Sequence, residues 1–280
     1  MHLLKRLTKL AAAGLSLAVA ACGPGELQDT VKAQIERLPR ASYEAPQGAK
    51  ISYLHAGDPG GRRVIFVHGT PGDAEGWGEF LLHTPPGFEY ISVDRPGFGD
   101  SGPEKAVTSL VDQASALVPL LVERNGAWPI LVGHSLGGPI VAQVAADYPD
   151  KVGGLLIAAG SLDPSLERIQ TIQWVGTWWP FRSILPRALR NANYELIALK
   201  PHLEALEPKL GAIRCPIYIV HGTKDPLVPY SNMAFMQARF TAAPVETVTI
   251  PDENHFLPWN RQKELTETIG KLEALPPTHC

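Results

Sequence analysis

Short apolar runs rich in β-branched residues recur along the chain and alternate with longer amphipathic stretches. We predict strands at these runs, which cover residues 51–54, 64–67, 90–93, 130–132, 152–158, 217–220 and 245–250. Most of the runs are continuously apolar, which is typical of strands that are covered on both faces. Strands that alternate with helices favour an α/β fold, in which a doubly wound, mostly parallel sheet lies between helices.

Helical periodicity is found between several of these runs. The predicted helices cover residues 26–38, 109–124, 136–148, 231–240 and 260–272. Ser109 and Asp112 have the spacing of a capping box at the start of the second helix, and Pro119 is expected to kink that helix.

One long stretch, residues 161–213, has no strand signal and is punctuated by prolines. We predict that it is a helical insertion between two strands of the sheet. This insertion, a helical cap at 161–212, divides the core into segments at 50–160 and 213–275. Before the core, we predict a signal peptide at 1–21, described next, and a spacer and lead-in at 22–49.

The N-terminus has the parts of a bacterial secretory signal. Lys5, Arg6 and Lys9 make its start basic, and residues 10–21 are apolar or small. This apolar stretch is shorter than the ~20 residues that a membrane-spanning helix needs. Residues 1–21 are therefore predicted to be a signal peptide that is removed.

Cys22 follows directly on small residues, and this arrangement resembles the bacterial lipobox. The resemblance implies cleavage before Cys22 and attachment of lipid to it, which would anchor the protein to a membrane of the bacterial cell envelope. The alternative is a plain signal peptide followed by an unrelated cysteine.

Charge and cysteine content limit the classes of partner. The net charge of −3 becomes −6 when the three cations of residues 1–21 are removed, which argues against nucleic-acid binding and against a basic membrane-binding surface.

Cys215 precedes an apolar run and is expected to be a small buried hydrophobic residue. Cys280 is the last residue and is expected to be free or paired with another chain, so no bridge between the two is expected.

The run 130–132 leads into Gly-His-Ser-Leu-Gly at residues 133–137, which is a Gly-x-Ser-x-Gly motif. A serine on such a tight strand-to-helix turn has a strained backbone and presents its hydroxyl, while the glycine positions must be nearly free of side chain. Pro139 is compatible with the first turn of the helix that follows. We interpret Ser135 as a nucleophile, against the alternative of an ordinary glycine-rich turn.

Two further motifs each come directly after a predicted strand. His68-Gly-Thr-Pro-Gly72 follows the run 64–67, and Asp94-Arg-Pro-Gly-Phe-Gly-Asp-Ser101 follows the run 90–93. With the Ser135 motif they resemble the α/β-hydrolase superfamily over about residues 50–272. The resemblance implies a mostly parallel, eight-stranded sheet with the serine at its carboxyl edge, and a cap inserted after the strand near 152–158.

The same resemblance implies a catalytic triad in the chain order serine, acid, histidine. Asp225, after the run 217–220, resembles the acid of the family, and His255, after the run 245–250, resembles its base. Asn254 stands where glycine is frequent in the family, and asparagine also tolerates a positive φ. Asp163 is the alternative acid, because some members of the family place the acid after the preceding strand.

An oxyanion hole is implied at the backbone N–H groups of Leu136 and Thr70. No cofactor and no metal ion are required. A cap lies over the site in this family, so Trp174, Trp178 and Trp179 are candidate pocket residues together with His134. The alternative for the tryptophans is that they form the core of the insertion.

Other patterns carry less weight. Residues 97–102 read Gly-x-Gly-x-x-Gly, but Arg95 and Pro96 separate them from the strand and Pro103 follows, so dinucleotide binding is not expected. The nine histidines show no pair with metal-ligand spacing and a carboxylate partner, so no metal site is expected.

A serine at position 135 stands where epoxide hydrolases and haloalkane dehalogenases have aspartate. We therefore expect a serine hydrolase, close to a carboxylesterase, that cleaves carboxylic esters of small or medium acyl substrates through an acyl-enzyme intermediate. Lactonase, acyltransferase, C–C bond hydrolase and peptidase activities use the same triad and stay open. A lipoprotein that binds a ligand without catalysis is the alternative from another class.

Overall fold

The computed structural model describes residues 26–168, 173–174, 176–179 and 181–280. The chain divides into two compact units, Met1–Arg37 and Leu38–Cys280. In the described part of the first unit, helix α1 spans Glu26–Ile35. The predicted signal peptide at 1–21 and the predicted lipidation of Cys22 lie outside the described residues.

Eight strands form one sheet in the second unit. They are β1 (Arg40–Glu44), β2 (Lys50–Gly57), β3 (Arg62–Val67), β4 (Phe88–Val93), β5 (Ile130–His134), β6 (Gly154–Ala158), β7 (Ile217–Gly222) and β8 (Val245–Ile250). Their order in the sheet is β1-β2-β4-β3-β5-β6-β7-β8. The pairs β1–β2 and β2–β4 are antiparallel and all other pairs are parallel, which confirms the predicted α/β fold with a mostly parallel sheet.

Helices flank the sheet. They are α2 (Gly78–Leu82), α3 (Leu110–Ala116), α4 (Gly137–Asp147), α5 (Phe181–Ile184), α6 (Arg187–Leu210), α7 (Ser231–Arg239), α8 (Leu257–Asn260) and α9 (Gln262–Glu273). The residues described between β6 and β7 contain α5 and α6 and no strand. No helix in the described ranges is both long enough and apolar enough to cross a membrane.

The core has two layers because side chains alternate along each central strand. On β3, Ile65 and Val67 belong to one hydrophobic cluster, with side chains of α3, α4, α6 and α7. Val64 and Phe66 belong to a second cluster on the opposite face, with side chains of α2 and α9. The sheet is thus covered on both faces, as the continuous apolar runs predicted.

The edge strand β1 was not predicted, because its sequence contains no apolar run. Its side chains alternate between exposed and half-buried positions, and its backbone pairs with β2 from Arg40↔Leu54 to Glu44↔Lys50. Tyr43 donates a hydrogen bond from its hydroxyl to the Ala116 carbonyl at 2.7 Å. Backbone pairing, which a hydropathy pattern does not report, determines this strand.

The predicted helix over 109–124 was too long. Ser109 caps α3 by accepting a hydrogen bond from the Asp112 N–H at 3.2 Å, but the helix ends at Ala116 and a 3₁₀ turn spans Val118–Leu120. Proline lacks an N–H and its ring clashes with the preceding turn, so Pro119 terminates the α-helix rather than kinking it.

Cys215 is buried as predicted, but the expectation that it forms no bridge with Cys280 was wrong. Cys215 and Cys280 form a disulfide with a Cα–Cα distance of 4.0 Å. The end of the chain is also held by its backbone, since the Cys280 N–H donates to the Val152 carbonyl and the Arg214 N–H donates to the Cys280 carbonyl. The C-terminal segment therefore returns to the start of β7, a long-range contact that no local pattern reveals.

Candidate active site

Ser135 lies in the tight turn between β5 and α4. Its φ is 55°, in the left-handed region that non-glycine residues rarely adopt. Its N–H donates to the Ala158 carbonyl at 3.0 Å, and its carbonyl accepts from the Gly138 N–H at 2.9 Å. These backbone bonds stabilise a turn that places the serine at the carboxyl end of the parallel strands.

The glycines on either side of Ser135 are required by close packing. A Cβ on Gly133 would lie 2.4 Å from the Gly137 carbonyl oxygen, and a Cβ on Gly137 would lie 2.2 Å from the Val67 carbonyl oxygen. Both distances are much shorter than a van der Waals contact. The atoms that the Cβ would meet belong to the backbone, which cannot shift without a large cost in free energy. The spacing of the motif thus follows from the approach of α4 to β3 and β5.

Asp225 contacts His255 although the two residues belong to different loops. Oδ2 of Asp225 lies 2.7 Å from Nδ1 of His255, and the Asp225 side chain is fully buried. Oδ1 accepts hydrogen bonds from the backbone N–H groups of Leu227 and Val228, each at 2.8 Å. Both oxygens of the carboxylate are therefore held in place.

This contact determines the tautomer of His255. An ionised carboxylate can only accept, so Nδ1 of His255 carries the hydrogen and Nε2 has the free lone pair. Burial raises the pKa of the Asp225 carboxyl, but hydrogen bonds from His221, His255 and the Val228 N–H outweigh burial, so its pKa lies well below the usual range. Asp225 thus stays ionised near neutral pH, and Nε2 of His255 can accept a proton.

His134 links the loop of His255 to the turn that contains Ser135. Nε2 of His134 donates to the His255 carbonyl oxygen at 2.9 Å, and the two imidazole rings have their centroids 4.7 Å apart. Since His134 directly precedes Ser135 in the chain, the loop of the candidate base His255 is attached to the turn that contains the candidate nucleophile. Burial and the neighbouring His255 lower the pKa of His134 to about 3, so His134 is neutral.

The alternative acid has other partners. Oδ1 of Asp163 accepts hydrogen bonds from the backbone N–H and the hydroxyl of Ser165, at 2.8 and 2.7 Å. Asp163 is thus engaged in a local turn, whereas Asp225 contacts His255.

The loop after β3 carries the candidate oxyanion donor Thr70 and lies against the serine. A Cβ built on Gly69 would be 2.8 Å from the Ser135 Cβ. Leu136 is at the start of α4 and is buried. In the described part of the chain, no backbone carbonyl accepts a hydrogen bond from the N–H of Leu136 or of Thr70. Both N–H groups are therefore free of a backbone acceptor in that part of the chain.

His68 fixes the same loop. The Arg95 N–H donates to Nε2 of His68 at 3.1 Å, so Nδ1 carries the hydrogen and donates to the Gly69 carbonyl at 2.7 Å. Burial and the charge of Arg95 hold the pKa of His68 well below its usual range. His68 is therefore a neutral structural residue.

The three tryptophans of the predicted cap are half to three-quarters exposed. Trp174, Trp178 and Trp179 are 50%, 66% and 75% exposed, and none has a ring contact with His134 or His255 within the described residues. Their assignment to a substrate pocket stays a prediction.

Two aromatic residues that the sequence reasoning missed lie beside the site. The Trp259 ring centroid lies 5.7 Å from that of His134 and 6.0 Å from that of Phe256, and Phe256 packs against His255 at 5.9 Å. Both residues come shortly after His255 in the chain, and this proximity is the sequence signal that could have identified them. They offer an apolar surface next to the imidazole.

A buried ion pair between Arg95 and Glu195 was also missed. Their side chains are 1% and 2% exposed, and Nη1 of Arg95 lies 2.7 Å from Oε1 of Glu195. Arg95 is part of the motif quoted above, but nothing in the sequence of α6 distinguishes Glu195 from an ordinary charged helix residue.

Among the described residues, no group of three or more His, Cys, Asp or Glu side chains is arranged to hold a metal ion. The candidate residues that the structure places in contact are Asp225 and His255, with His134, the neighbour of Ser135, bonded to the His255 backbone.

Comparison with known proteins adds the family. A model described as "Alpha/beta hydrolase family" matches residues 64–268. The chain is 30% identical over 147 residues to the pimeloyl-[acyl-carrier protein] methyl ester esterase of Photorhabdus laumondii, covering 51% of this chain and 49% of that protein. It is 26% identical over 230 residues to a 2-hydroxy-6-oxononadienedioate/2-hydroxy-6-oxononatrienedioate hydrolase of a Pseudomonas species, covering 66% and 80%.

A third relative is the dihydrolipoyllysine-residue acetyltransferase component of the acetoin cleaving system of Cupriavidus necator. It is 33% identical over 105 residues, which are 38% of this chain and 28% of that protein. This chain spans less than two thirds of the length of the esterase and of the acetyltransferase component.

Solved structures agree with the fold. A membrane phospholipase A superposes with a TM-score of 0.63 at 20% identity, covering 98% of this chain and 99% of that chain. MGS-M2, an alpha/beta hydrolase from a deep-sea metagenome library, superposes with a TM-score of 0.70 at 18% identity, covering 85% and 98%. The family match extends over more than half of the chain and the topology agrees with it, so the chain belongs to the alpha/beta hydrolase family.

Proposed function

We propose that this protein is a serine hydrolase that cleaves carboxylic esters of small or medium acyl substrates through an acyl-enzyme. The observation that carries the proposal is the position of His255. Its Nδ1 lies 2.7 Å from Asp225, and its backbone is hydrogen-bonded to His134, the neighbour of Ser135. The printed name of the Photorhabdus relative, a methyl ester esterase, also favours ester chemistry.

The proposed reaction has two halves. Oγ of Ser135 attacks the ester carbonyl carbon while its proton moves to Nε2 of His255, and the carbonyl oxygen becomes an oxyanion that accepts from the N–H groups of Leu136 and Thr70. The C–O bond to the alcohol then breaks and His255 protonates the leaving oxygen. Water attacks the acyl-enzyme with His255 again as the base, which releases the acid and restores Ser135.

A fluorophosphonate probe tests the proposal, because it forms a covalent adduct with an activated serine. We expect labelling of the wild type at Ser135 and none of Ser135→Ala. A wild type that binds ligands but forms no adduct would favour the non-catalytic binding protein instead.

The acyl specificity is tested separately. We expect p-nitrophenyl esters of short and medium acids to have the highest kcat/KM in a series that also contains lactones, amides and β-diketones. A preference for lactones, amides or β-diketones would replace the esterase by a lactonase, a peptidase or a C–C bond hydrolase, and transfer of the acyl group to an added alcohol in preference to water would indicate an acyltransferase.

We also propose that the protein is a lipoprotein of the bacterial cell envelope, anchored through Cys22. The lipobox-like sequence before Cys22 supports this, and the disulfide between Cys215 and Cys280 is typical of proteins in an oxidising compartment. In the test, Cys22→Ser is expected to abolish labelling by palmitate and to move the protein from the membrane to the soluble fraction. Cys280→Ser is the matched control and should leave the partition unchanged; membrane retention of Cys22→Ser contradicts the anchor.

A further inference from the structure

A buried carboxylate joins helix α6 to the loops behind the candidate oxyanion hole. Nη1 and Nη2 of Arg95 donate to Oε1 and Oε2 of Glu195 at 2.7 and 3.1 Å. This ion pair is bidentate, and its two parallel hydrogen bonds fix the orientation of the guanidinium relative to the carboxylate. Because a buried charge without its partner is strongly unfavourable, the pair holds α6 to the loop that follows β4.

The same carboxylate reaches the oxyanion loop directly. The Thr70 hydroxyl donates to Oε2 of Glu195 at 2.6 Å. Gln113, on α3, donates from Nε2 to Oε1 at 2.8 Å. Glu195 therefore accepts four hydrogen bonds that come from three separate segments of the second unit, and one of the donors is the side chain of Thr70 itself.

Arg95 completes the connection through backbone carbonyls. Its Nε donates to the His68 carbonyl and its Nη2 to the Gly69 carbonyl, both at 2.9 Å. The Gly69 carbonyl also accepts from Nδ1 of His68. Glu195 orients the guanidinium, and the guanidinium in turn holds the loop that contains Thr70.

Because of peptide geometry, holding the Gly69 carbonyl also orients the N–H of Thr70, the candidate oxyanion donor. The Gly69–Thr70 peptide bond is trans, and a trans peptide is planar with its C=O and N–H pointing in opposite directions. Fixing the Gly69 carbonyl on Arg95 therefore fixes the direction of the Thr70 N–H. The hydroxyl of Thr70, held by Glu195, restrains the other side of the same residue.

We propose that Glu195 is a positioning residue of the oxyanion hole. Through Arg95 and Thr70 it holds the Thr70 N–H in the direction that the reaction needs, so that a helix of the predicted cap completes the donor geometry of the core. Donors of this kind lower the barrier only when they are held in place before charge develops. The inference rests on the proposed function, since it assigns Glu195 to the same site.

The test compares Glu195→Gln with Glu207→Gln. Glu207 lies on the same helix and pairs with Arg239 at 2.6 Å, away from the oxyanion loop, so it is the matched control. With a p-nitrophenyl ester as substrate, we expect Glu195→Gln to lower kcat by about ten- to a hundredfold while KM changes by less than about threefold, short of the loss on deleting a donor outright. Glu207→Gln should keep the kcat of the wild type.

For each variant, the measured rate is divided by the number of sites that a fluorophosphonate has labelled once the labelling reaction is complete. This normalisation removes the effect of a smaller folded fraction, so a merely structural role of Glu195 predicts an unchanged kcat per labelled site. An unchanged kcat, or a loss carried wholly by KM, overturns the inference.

A second variant covers the case in which Glu195→Gln does not fold. Thr70→Val keeps the backbone N–H and the shape of the side chain but removes the hydroxyl that donates to Glu195. We expect a several-fold lower kcat per labelled site, and a wild-type value overturns the inference. An unlabelled, inactive wild type would overturn the proposed function and the inference together, whereas an active wild type with active variants overturns the inference alone.

Discussion

Oδ2 of Asp225 lies 2.7 Å from Nδ1 of His255, across a sequence separation of 30 residues. The distance shows which of two candidate acids contacts the imidazole, because Asp163 bonds Ser165 instead. It also explains why Nε2 of His255 has its lone pair free.

Replacing Asp225 by asparagine should remove this control of the tautomer. The amide N–H₂ of the new side chain can face Nδ1, which favours hydrogen on Nε2 and abolishes its function as a base. We expect kcat to fall by about 10⁴-fold with little change in KM, as is typical when the acid of such a triad is made neutral. Steady-state kinetics on an ester check this, and Asp163→Asn, the matched control, should stay within about twofold of the wild type. A strong loss in Asp163→Asn with a small one in Asp225→Asn would exchange the two assignments.

At position 135, glycine should give a more stable protein than alanine, which is the reverse of the order inside a helix. Its φ of 55° is unfavourable for any residue with a Cβ. We expect Ser135→Gly to be more stable than Ser135→Ala by about 1 kcal/mol in urea unfolding, since glycine adopts this conformation without strain. At Ser115, inside α3, the same pair should follow the ordinary helical order, with alanine more stable by about 1 kcal/mol. Equal stabilities at position 135 would argue against the strained turn.

Buried neutral histidines should make the protein less stable in mild acid. Burial lowers the pKa of His134 to about 3, whereas a histidine in an unfolded chain titrates near 6.5. Between these values the unfolded state binds a proton that the folded state does not, so the free energy of unfolding falls as pH decreases. His134 contributes at most about 1.4 kcal/mol per pH unit, and His68, whose pKa is also lowered, acts in the same direction.

Urea unfolding at pH 7.5, 6.5 and 5.5 measures this dependence. His134→Gln should show a shallower fall in the free energy of unfolding over this range than the wild type. An identical slope would mean that His134 does not contribute to the pH dependence.

The disulfide between Cys215 and Cys280 should contribute to stability. It closes a loop with a sequence separation of 65 residues, and cross-links of this kind typically stabilise a protein by about 2–4 kcal/mol. We expect a reductant to lower the urea midpoint of the wild type and to leave that of Cys280→Ser, which is already lower, unchanged. A wild type that does not respond to the reductant would contradict the cross-link.

The sequence by itself determined what depends on neighbouring residues. Apolar, β-branched runs located seven of the eight strands, and most of these runs are continuous because burial on both faces leaves a local hydropathy signal. The glycines around Ser135 identified the turn, because a close approach of backbone demands residues without a Cβ at a fixed spacing. The order of the motifs along the chain likewise indicated the family.

The tertiary structure alone decided what depends on residues far apart. The contact of Asp225 with His255, the bridge from Cys215 to Cys280 and the ion pair of Arg95 with Glu195 each require two distant segments to meet. β1 belongs with them, since pairing with β2 forms it without an apolar run. The physical reason is common to all of these features: a contact distance is determined by how packed layers bring separate segments together, and a single segment contains no record of its partner.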